Sequence, residues 1–198
     1  MRTIKVNISG VSPYSQSRPI QSPKQDRETS DAYEERTWRE RLHVLPDGQV
    51  FIPPMAFKNA LSECAKFLGK QIPGKGKSTY TKHFEAGVLS MTEVPLFLDE
   101  KLRNPLMASD PVAVAGERLF VPSDGVRGSG KRVWKTFPVL RQWHAVASFM
   151  ILDDIITDDV FRSHISDAGR FIGVGRFRPR NNGYYGRFDV TDMAVKED

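Results

Sequence analysis

The residues with the clearest potential for chemistry lie in one tract near the C-terminus, GRFIGVGRFRPRNNGYYGRF (169–188). The tract contains five arginines and five glycines and has no acidic residue. The aromatic residues Phe177, Tyr184 and Tyr185 lie between the charges. Guanidinium groups neutralise phosphates, and flat rings stack on bases at about 1–3 kcal/mol per base. The composition therefore predicts a loop that binds a polyanion, and it favours single-stranded nucleic acid over a duplex groove.

Two further stretches of the chain are basic. Residues 70–82 contain four lysines and no acid, and residues 118–141 contain six basic residues against Asp124 alone. Together the three stretches hold 15 of the 29 lysines and arginines and one of the 24 acidic residues. The net charge is +5 and the sequence pI is about 9.4. This segregation predicts a strongly basic surface wherever the stretches meet in space.

Other chemistries have weaker support in the sequence. Two near-matches to a phosphate-binding P-loop, at 69–76 and 125–132, lack the Ser or Thr that would ligate magnesium. The four histidines show no HxxxH or HExxH spacing, and Cys64 is the single cysteine, so we predict no metal site, disulfide or cofactor. His43 and His83 lie near basic stretches, where an imidazole could act as a general base on an RNA 2′-hydroxyl. A metal-independent endoribonuclease is therefore an alternative to a protein that only binds RNA.

The hydrophobic pattern indicates the elements that position these residues. Residues 2–8 alternate as a half-buried strand, and 42–52 are typical of a hairpin around Asp47-Gly48. Apolar residues at i, i+3, i+4 and i+7 predict an amphipathic helix over 54–68 that ends at Gly69. Further expected elements are a short helix or strand near 33–41, a strand at 132–140 with Pro138 at an edge or bulge, a central strand at 143–152, a helix from Thr157 to Gly169, and a closing strand at 186–195.

This order of elements predicts an α+β domain, plausibly a split βαβ of the ferredoxin or RRM kind. We expect one domain over 1–198, with insertions at about 11–41 and 70–132. The N-terminus has no apolar segment of a signal peptide, and no apolar run approaches 18 residues. We therefore expect a cytoplasmic protein that does not associate with a membrane.

Three segments together resemble the RAMP superfamily. They are KVNISGVSPYSQSR (5–18), VFIPPMAFKNALSECAKFL (50–68) and the C-terminal tract. The second is similar to the superfamily's strand-to-helix segment IPGSSLKGALR, with Lys58 matching its lysine but Pro54 and Asn59 in place of its glycines. The third resembles its glycine-rich loop between a helix and a strand. RAMP proteins are RRM-like subunits of class 1 CRISPR effector complexes, and the order of elements is most similar to the Cas-seven-like backbone subunits.

The resemblance implies a modified RRM or ferredoxin-like domain with inserted loops, in which 70–90 and 100–132 would form the thumb and finger. The chain would be a non-catalytic subunit that binds single-stranded guide RNA, copies of itself and other CRISPR effector subunits. Its length is closer to the guide-processing endoribonucleases or cap subunits of the same superfamily, and a phage-encoded homologue that inhibits a host complex is a further alternative. The residues that we expect at the RNA are Arg18, Lys58, Lys75, Lys77, Arg127, Lys131, Arg132, Arg176, Arg178, Arg180, Tyr184 and Arg187.

Overall fold

The computed structural model describes residues 1–126, 128 and 130–197. Its strands and helices are, in chain order, β1 (Arg2–Gly10), β2 (Tyr14–Ser15), α1 (Ser30–Thr37), β3 (Phe51–Ile52), α2 (Pro54–Leu68), α3 (Thr81–Gly87), β4 (Val88–Ser90), β5 (Val94–Phe97), β6 (Val114–Pro122), β7 (Arg132–Leu140), β8 (His144–Ile151), α4 (Asp158–Asp167) and β9 (Phe188–Glu197). Antiparallel sheets with few helices confirm the predicted α+β class, while the RRM or ferredoxin-like description remains a prediction.

An antiparallel sheet forms the centre of the molecule, in the order β3-β5-β8-β1-β9, with β4 also paired to β8. β1 lies between β8 and β9, so its alternate residues Ile4, Val6 and Ile8 enter the core and are buried. This is the alternation that the sequence predicts. The predicted central position of β8 is also confirmed, because β8 pairs with β1, β4 and β5.

Helix α2 packs on this sheet through an aromatic cluster. The ring of Phe57 contacts the rings of Phe149 and Phe188, with centroid separations of 6.5 and 5.6 Å. Aromatic pairs in this geometry add about 0.5–1.5 kcal/mol to the free energy gained from burial. The predicted end of α2 is confirmed, because Gly69 adopts the left-handed conformation (φ 56°) and donates its N–H to the Ala65 carbonyl.

Helix α4 starts as predicted but does not end as predicted. The Thr157 hydroxyl accepts a hydrogen bond from the N–H of Val160 and caps the helix. The chain then continues through a π-helical turn, Ala168–Ile172, so the expected helix end at Gly169 is wrong. A Cβ at Gly169 would lie 2.1 Å from the Phe188 carbonyl oxygen. This glycine therefore permits the close approach of the helix extension to β9.

A second sheet is built around the β6–β7 hairpin. The two strands pair from Val114↔Leu140 to Pro122↔Arg132, and β2 pairs with the base of β7 at Val139 and Leu140. Pro138 lies directly beyond the stretch that β2 covers. The prediction that Pro138 occupies an edge position is therefore confirmed, since β7 has a ladder partner on one side at this residue.

The segment 11–41, which the sequence predicts to be an insertion and which is called the inserted segment below, packs against the base of this hairpin. Thr29 caps α1 by accepting a hydrogen bond from the N–H of Ala32, and a 3₁₀ turn follows at Trp38–Arg41. A Cβ at Gly116 of β6 would lie 3.2 Å from the Trp38 ring, so the indole packs directly on the hairpin backbone. The helix-or-strand expectation for residues 33–41 is thus resolved as a helix and a 3₁₀ turn.

Residues 70–90 form part of the main body. The loop at 71–79 is closed by a bridge between Gln71 and Thr79, and α3 and β4 follow, with β4 paired to β8. The long hairpin of the structure is instead β6–β7. Among the helices of the described residues, none combines the length and the apolar character needed to cross a membrane.

Candidate nucleic-acid interface

A cleft of about 790 Å³ separates the β6–β7 hairpin from the glycine-rich loop, defined here as residues 173–187. The hairpin contributes residues 121–125, Lys135 and Phe137, and the loop contributes 175–177 and Asn181. Residues 14 and 16–19, with Arg41 and His43, complete the lining together with Pro53 and Ala56. Two of the three basic stretches found in the sequence therefore meet in space. The cationic side chains of the cleft are Arg18, Arg41, Lys135 and Arg176.

Two arginines and two phenylalanines form a continuous stack along the cleft. The guanidinium of Arg176 lies 3.4 Å from the centroid of Phe137 and 3.9 Å from that of Phe177. The guanidinium of Arg41 lies 4.9 Å from the centroid of Phe137. Cation–π contacts contribute about 0.5–2 kcal/mol each, most when they are desolvated. The stack joins the inserted segment, the hairpin and the glycine-rich loop.

The two arginines of the stack differ in how their charge is compensated. Arg41 donates to both carboxylate oxygens of Glu34, at 2.8 and 3.0 Å. Arg176 forms no ion pair within the described part of the chain, and its Nη1 is buried there without a hydrogen-bond partner. Burial lowers the pKa of Arg176 to about 10, which still leaves the side chain positively charged at neutral pH. Arg176 is thus a fixed charge suited to an external anion.

The glycines of this loop serve the packing of its own backbone. A Cβ at Gly183 or Gly186 would lie 1.8 Å from the carbonyl oxygen of Phe177 or Val174, respectively. A Cβ at Gly175 would meet the Tyr14 ring at 2.4 Å. The loop is further tied to β2 by a hydrogen bond from the Arg176 N–H to the Ser15 carbonyl. The glycines therefore give the loop one defined shape that holds Arg176 and Phe177 at the cleft.

Phe177 itself has a strained backbone. Its φ is 54°, in the left-handed region that costs a bulky residue of the order of 1–3 kcal/mol. The N–H of Tyr185 donates to its carbonyl at 3.0 Å, and its ring forms an edge contact with the Tyr185 ring. The surrounding loop thus holds Phe177 in an orientation in which its ring faces the Arg176 guanidinium.

The two faces of the hairpin differ in character. Lys135 and Phe137 alternate onto the face that lines the cleft. Phe120 and Trp134 lie on the opposite face, are about half exposed, and contact each other at 5.2 Å. The guanidiniums of Arg132 and Arg118 lie over these two rings. Trp134 therefore belongs to the outer face of the hairpin.

The carboxylate of Glu117 joins the hairpin to the glycine-rich loop. The hydroxyl of Tyr185 donates to Glu117 of β6 at 2.5 Å. Burial and this bond raise the pKa of Tyr185, because both disfavour the phenolate. Tyr184 stacks edge-on against Tyr185 and is well exposed, as its predicted role in base stacking requires.

The predicted arginines of the C-terminal tract differ in their surroundings. Arg176 lines the cleft, and so does Arg18 from the N-terminal part of the chain. Arg178 and Arg180 instead contact Glu63 of α2, with nitrogen–oxygen distances of 3.1 and 2.8 Å. Arg180 lies in a second groove along α2. The charge of this pair is thus partly neutralised within the protein.

The other predicted residues lie at several places. Arg187 is exposed, and its backbone N–H binds the Ser12 hydroxyl. Lys131 and Arg132 lie at the distal end of the hairpin, where Arg132 donates to the Phe120 carbonyl. Arg127 lies outside the described residues. The contacts of all these side chains with RNA remain predictions.

Three predicted lysines are away from the cleft in the described structure. Lys58 of α2 donates to the carbonyls of Phe84 and Glu85 at the end of α3, and burial lowers its pKa. Lys75 and Lys77 lie in the loop at 71–79, which adjoins α4 because neighbouring Lys70 pairs with Asp167 at 2.9 Å. Among the described residues, no member of 70–82 lines the cleft. The third basic stretch therefore forms a separate surface.

Three residues of the cleft, Arg41, Lys135 and Phe137, are not among those that the sequence predicts at the RNA. The alternation of the strand RVWKTFPVL could have identified two of them. Lys135 and Phe137 lie on one face of this strand, and Trp134 lies on the other. Nothing local distinguishes Arg41 from the other arginines of the charged segment.

The two histidines proposed as general bases occupy different surroundings. His43 lines the cleft, and burial, followed by the charge of Arg18, lowers its pKa. His83 lies in α3, and its Nδ1 contacts the Asp153 carboxylate at 2.6 Å. His43 is therefore the one of the two that adjoins the basic cleft.

Known proteins are similar to this chain in their fold. No protein-family model matches the chain, and no curated protein matches its sequence. Among solved structures, a chain of the type III-B Cmr-beta complex bound to cognate target RNA is similar over 99% of this chain, with 11% identity and a TM-score of 0.51. This chain shares the fold of that Cmr-beta chain, and this likeness confirms the expected fold.

The match covers 61% of the Cmr-beta chain, so this protein spans about three fifths of that chain's length. Cmr6 from Pyrococcus furiosus aligns with 96% of this chain and 99% of its own, at 12% identity and a TM-score of 0.49. A chain of a CRISPR RNA-guided surveillance complex aligns with 98% of this chain and 68% of its own, at 10% identity and a TM-score of 0.39.

Proposed function

We propose that this protein is an RNA-binding subunit of a CRISPR effector complex and that it holds single-stranded guide RNA in the cleft without cutting it. The observation that carries the proposal is the guanidinium of Arg176, which forms no ion pair among the described residues and is fixed between Phe137 and Phe177 at the wall of a basic cleft. A phosphate is the anion that best suits a preoriented arginine, because its oxygens accept paired N–H donors.

Single-stranded RNA suits the remainder of the cleft. Arg18 and Lys135 supply further charge, and the exposed ring of Tyr184 lies on the same loop. Rings and cations in alternation bind an unpaired strand through its bases and its backbone together. The Cmr-beta fold supports the assignment to a CRISPR complex, since the similar chain comes from a complex bound to target RNA.

The proposal includes assembly of repeated copies along the guide, together with other effector subunits. Size-exclusion chromatography of the purified protein tests both parts. We expect oligomers with a nucleic-acid absorbance ratio, which ribonuclease converts to smaller species. A monomer that neither carries RNA nor binds a labelled single strand at moderate salt would contradict the proposal.

A second function is favoured by the position of His43. Its imidazole lines the cleft and its lowered pKa keeps it neutral at pH 7, as a general base requires. The nearby charges of Arg18 and Arg176 would stabilise a developing negative charge on phosphate. Incubation of hairpin and single-stranded RNAs with the protein in EDTA tests this activity. Cleavage that His43→Ala abolishes and His83→Ala retains would establish the enzyme, whereas intact RNA in all three samples supports binding alone.

A further inference from the structure

The carboxylate of Glu34 lies where the inserted segment meets the β6–β7 hairpin. It binds Nη2 of Arg41 through both oxygens, and its Oε2 also accepts the backbone N–H of Thr136 at 3.1 Å. Arg41 in turn donates its Nε–H to the Thr136 carbonyl at 3.0 Å. The two backbone groups of one β7 residue are therefore held by two side chains from 30–41.

The side chains of Glu34 and Arg41 continue the pairing of the β7 edge beyond the end of β2. β2 pairs with β7 at Val139 and Leu140 and goes no further. At Thr136 the bonds from Glu34 and Arg41 take the place of a third strand along the open edge of β7. An open edge leaves backbone N–H and C=O groups of the strand unpaired, whereas here both groups of Thr136 are bonded to the segment 30–41. The hairpin position is thus fixed on this side by the pair of Glu34 and Arg41.

Thr136 lies between the two cleft residues of β7, Lys135 and Phe137. The Phe137 ring contacts Arg41 at 4.9 Å and Arg176 at 3.4 Å. A shift of β7 at Thr136 would therefore move the ring on which Arg176 rests. A gap of about 0.5–1 Å between packed atoms removes roughly a quarter to a half of their dispersion energy.

The charge of Glu34 opposes the binding of a polyanion. Its side chain is 15% exposed and that of Arg41 is 10% exposed, so the pair is well shielded from solvent. A negative charge there reduces the positive potential of the neighbouring cleft. If only the electrostatic potential of the cleft mattered, an uncharged residue at position 34 would favour RNA binding. The contacts of Glu34 with Arg41 and Thr136 therefore indicate a structural role.

We propose that Glu34, acting with Arg41, is a positioning residue that fixes β7 so that Phe137 supports Arg176 in its RNA-binding orientation. The proposal rests on the proposed function for its effect on RNA. It assigns a role to the inserted segment 11–41, whose contribution neither the sequence pattern nor the fold comparison identifies.

The direction in which a charge-removing substitution of Glu34 changes RNA affinity distinguishes a positioning role from an electrostatic one. Glu34→Gln keeps the size of the side chain but has one acceptor oxygen in place of two, so it cannot accept from Arg41 through both of its terminal atoms and also from the Thr136 N–H. We expect affinity for a fluorescein-labelled single-stranded RNA to fall about fivefold, a typical effect of breaking one bond in a shared network. Glu35→Gln, at the exposed neighbouring position, should leave affinity unchanged or raise it slightly. Tighter binding by Glu34→Gln would overturn the proposal.

Arg41→Lys provides a variant with unchanged net charge. Lysine retains the charge but loses the Nε donor to Thr136 and the planar group that stacks on Phe137. We expect a loss of RNA affinity comparable to that of Glu34→Gln, and wild-type affinity in Arg41→Lys would count against the positioning role. Combining Glu34→Gln with Phe137→Ala should add little to the loss caused by Phe137→Ala alone, whereas additive losses would show that Glu34 acts independently of that ring.

A measurement without RNA separates failure of this inference from failure of the proposed function. Rings that stack on a guanidinium displace the NMR resonance of its Nε–H. In ¹⁵N spectra of the free protein, we expect the displaced Arg176 Nε–H resonance to move toward the usual arginine position in Glu34→Gln and to stay in place in Glu35→Gln. An unchanged Arg176 resonance in folded Glu34→Gln would refute the positioning role, whether or not the wild-type protein binds RNA.

Discussion

The guanidinium of Arg176 lies 3.4 Å from the ring centroid of Phe137, although 39 positions separate the two residues in the sequence. Phe137 comes from the hairpin and Arg176 from the glycine-rich loop, so the contact spans the two walls of the cleft. Phe177 covers the same guanidinium at 3.9 Å. The arrangement holds a positive charge in a fixed direction, and no carboxylate of the described residues forms an ion pair with it.

Arg176 is expected to contribute one phosphate contact. In Arg176→Gln, affinity for single-stranded RNA should fall about tenfold, and the slope of log K against log salt should become shallower by about 0.7. Fluorescence anisotropy across a potassium chloride series measures both quantities. Arg162→Gln, on the exposed side of α4, removes the same charge outside the cleft and should leave the slope nearly unchanged. Equal slopes for wild type and Arg176→Gln would exclude this arginine from the interface.

Glu63 is expected to restrain RNA binding. Its carboxylate holds Arg178 and Arg180, so Glu63→Gln should free both for phosphate and tighten RNA binding about threefold with a steeper salt dependence. Glu85→Gln is the matched control, because it removes an acid from the same groove. Competition with unlabelled RNA at two salt concentrations checks the result, and weaker binding by Glu63→Gln would show that the carboxylate orients the arginines productively.

Gly186 is expected to be indispensable for folding of the loop. Its φ is 67°, and a Cβ would lie 1.8 Å from the Val174 carbonyl oxygen. Gly186→Ala should therefore destabilise the protein by more than about 2 kcal/mol. The comparison is Gly130→Ala, where a Cβ would have open space and φ is not positive. Urea unfolding followed by circular dichroism provides the free energies, and similar values for the two variants would contradict the described loop conformation.

The contact between His83 and Asp153 predicts a pH dependence of stability. The hydrogen bond from His83 is the main cause that lowers the pKa of Asp153 below the usual value for an aspartate. A carboxyl group whose pKa is lower in the folded state stabilises the protein above the unfolded-state pKa and loses this effect as pH falls through the folded-state pKa.

Wild type should therefore be more stable than Asp153→Asn by about 0.5–1 kcal/mol at pH 5, and the difference should shrink as pH falls below 4. Asp154→Asn is the control, since Asp154 is exposed beside it. Thermal unfolding at a series of pH values measures the difference. A constant difference between wild type and Asp153→Asn over pH 5 to 2.5 would show that the ionised carboxylate contributes nothing.

The sequence alone determined the strands and helices whose apolar residues recur every few positions. Alternation in residues 2–8 and the spacing of apolar residues in 54–68 depend on neighbours a few positions away, so β1 and α2 could be identified without a structure. The segregation of acids from bases likewise showed that the chain presents a basic surface. The α+β class followed from the order of these elements.

Tertiary structure alone decided which basic stretches share a surface. Strand pairing and the packing of 11–41 bring 118–141 to the glycine-rich loop and leave 70–82 beside α4, and no local pattern encodes such distances. Packing also decided the state of each charge, because Arg178 and Arg180 meet Glu63 across 115 or more positions whereas Arg176 meets two rings. Whether an arginine is available to RNA depends on these long-range contacts, which is why residue type and spacing predicted the loop but not the role of each of its arginines.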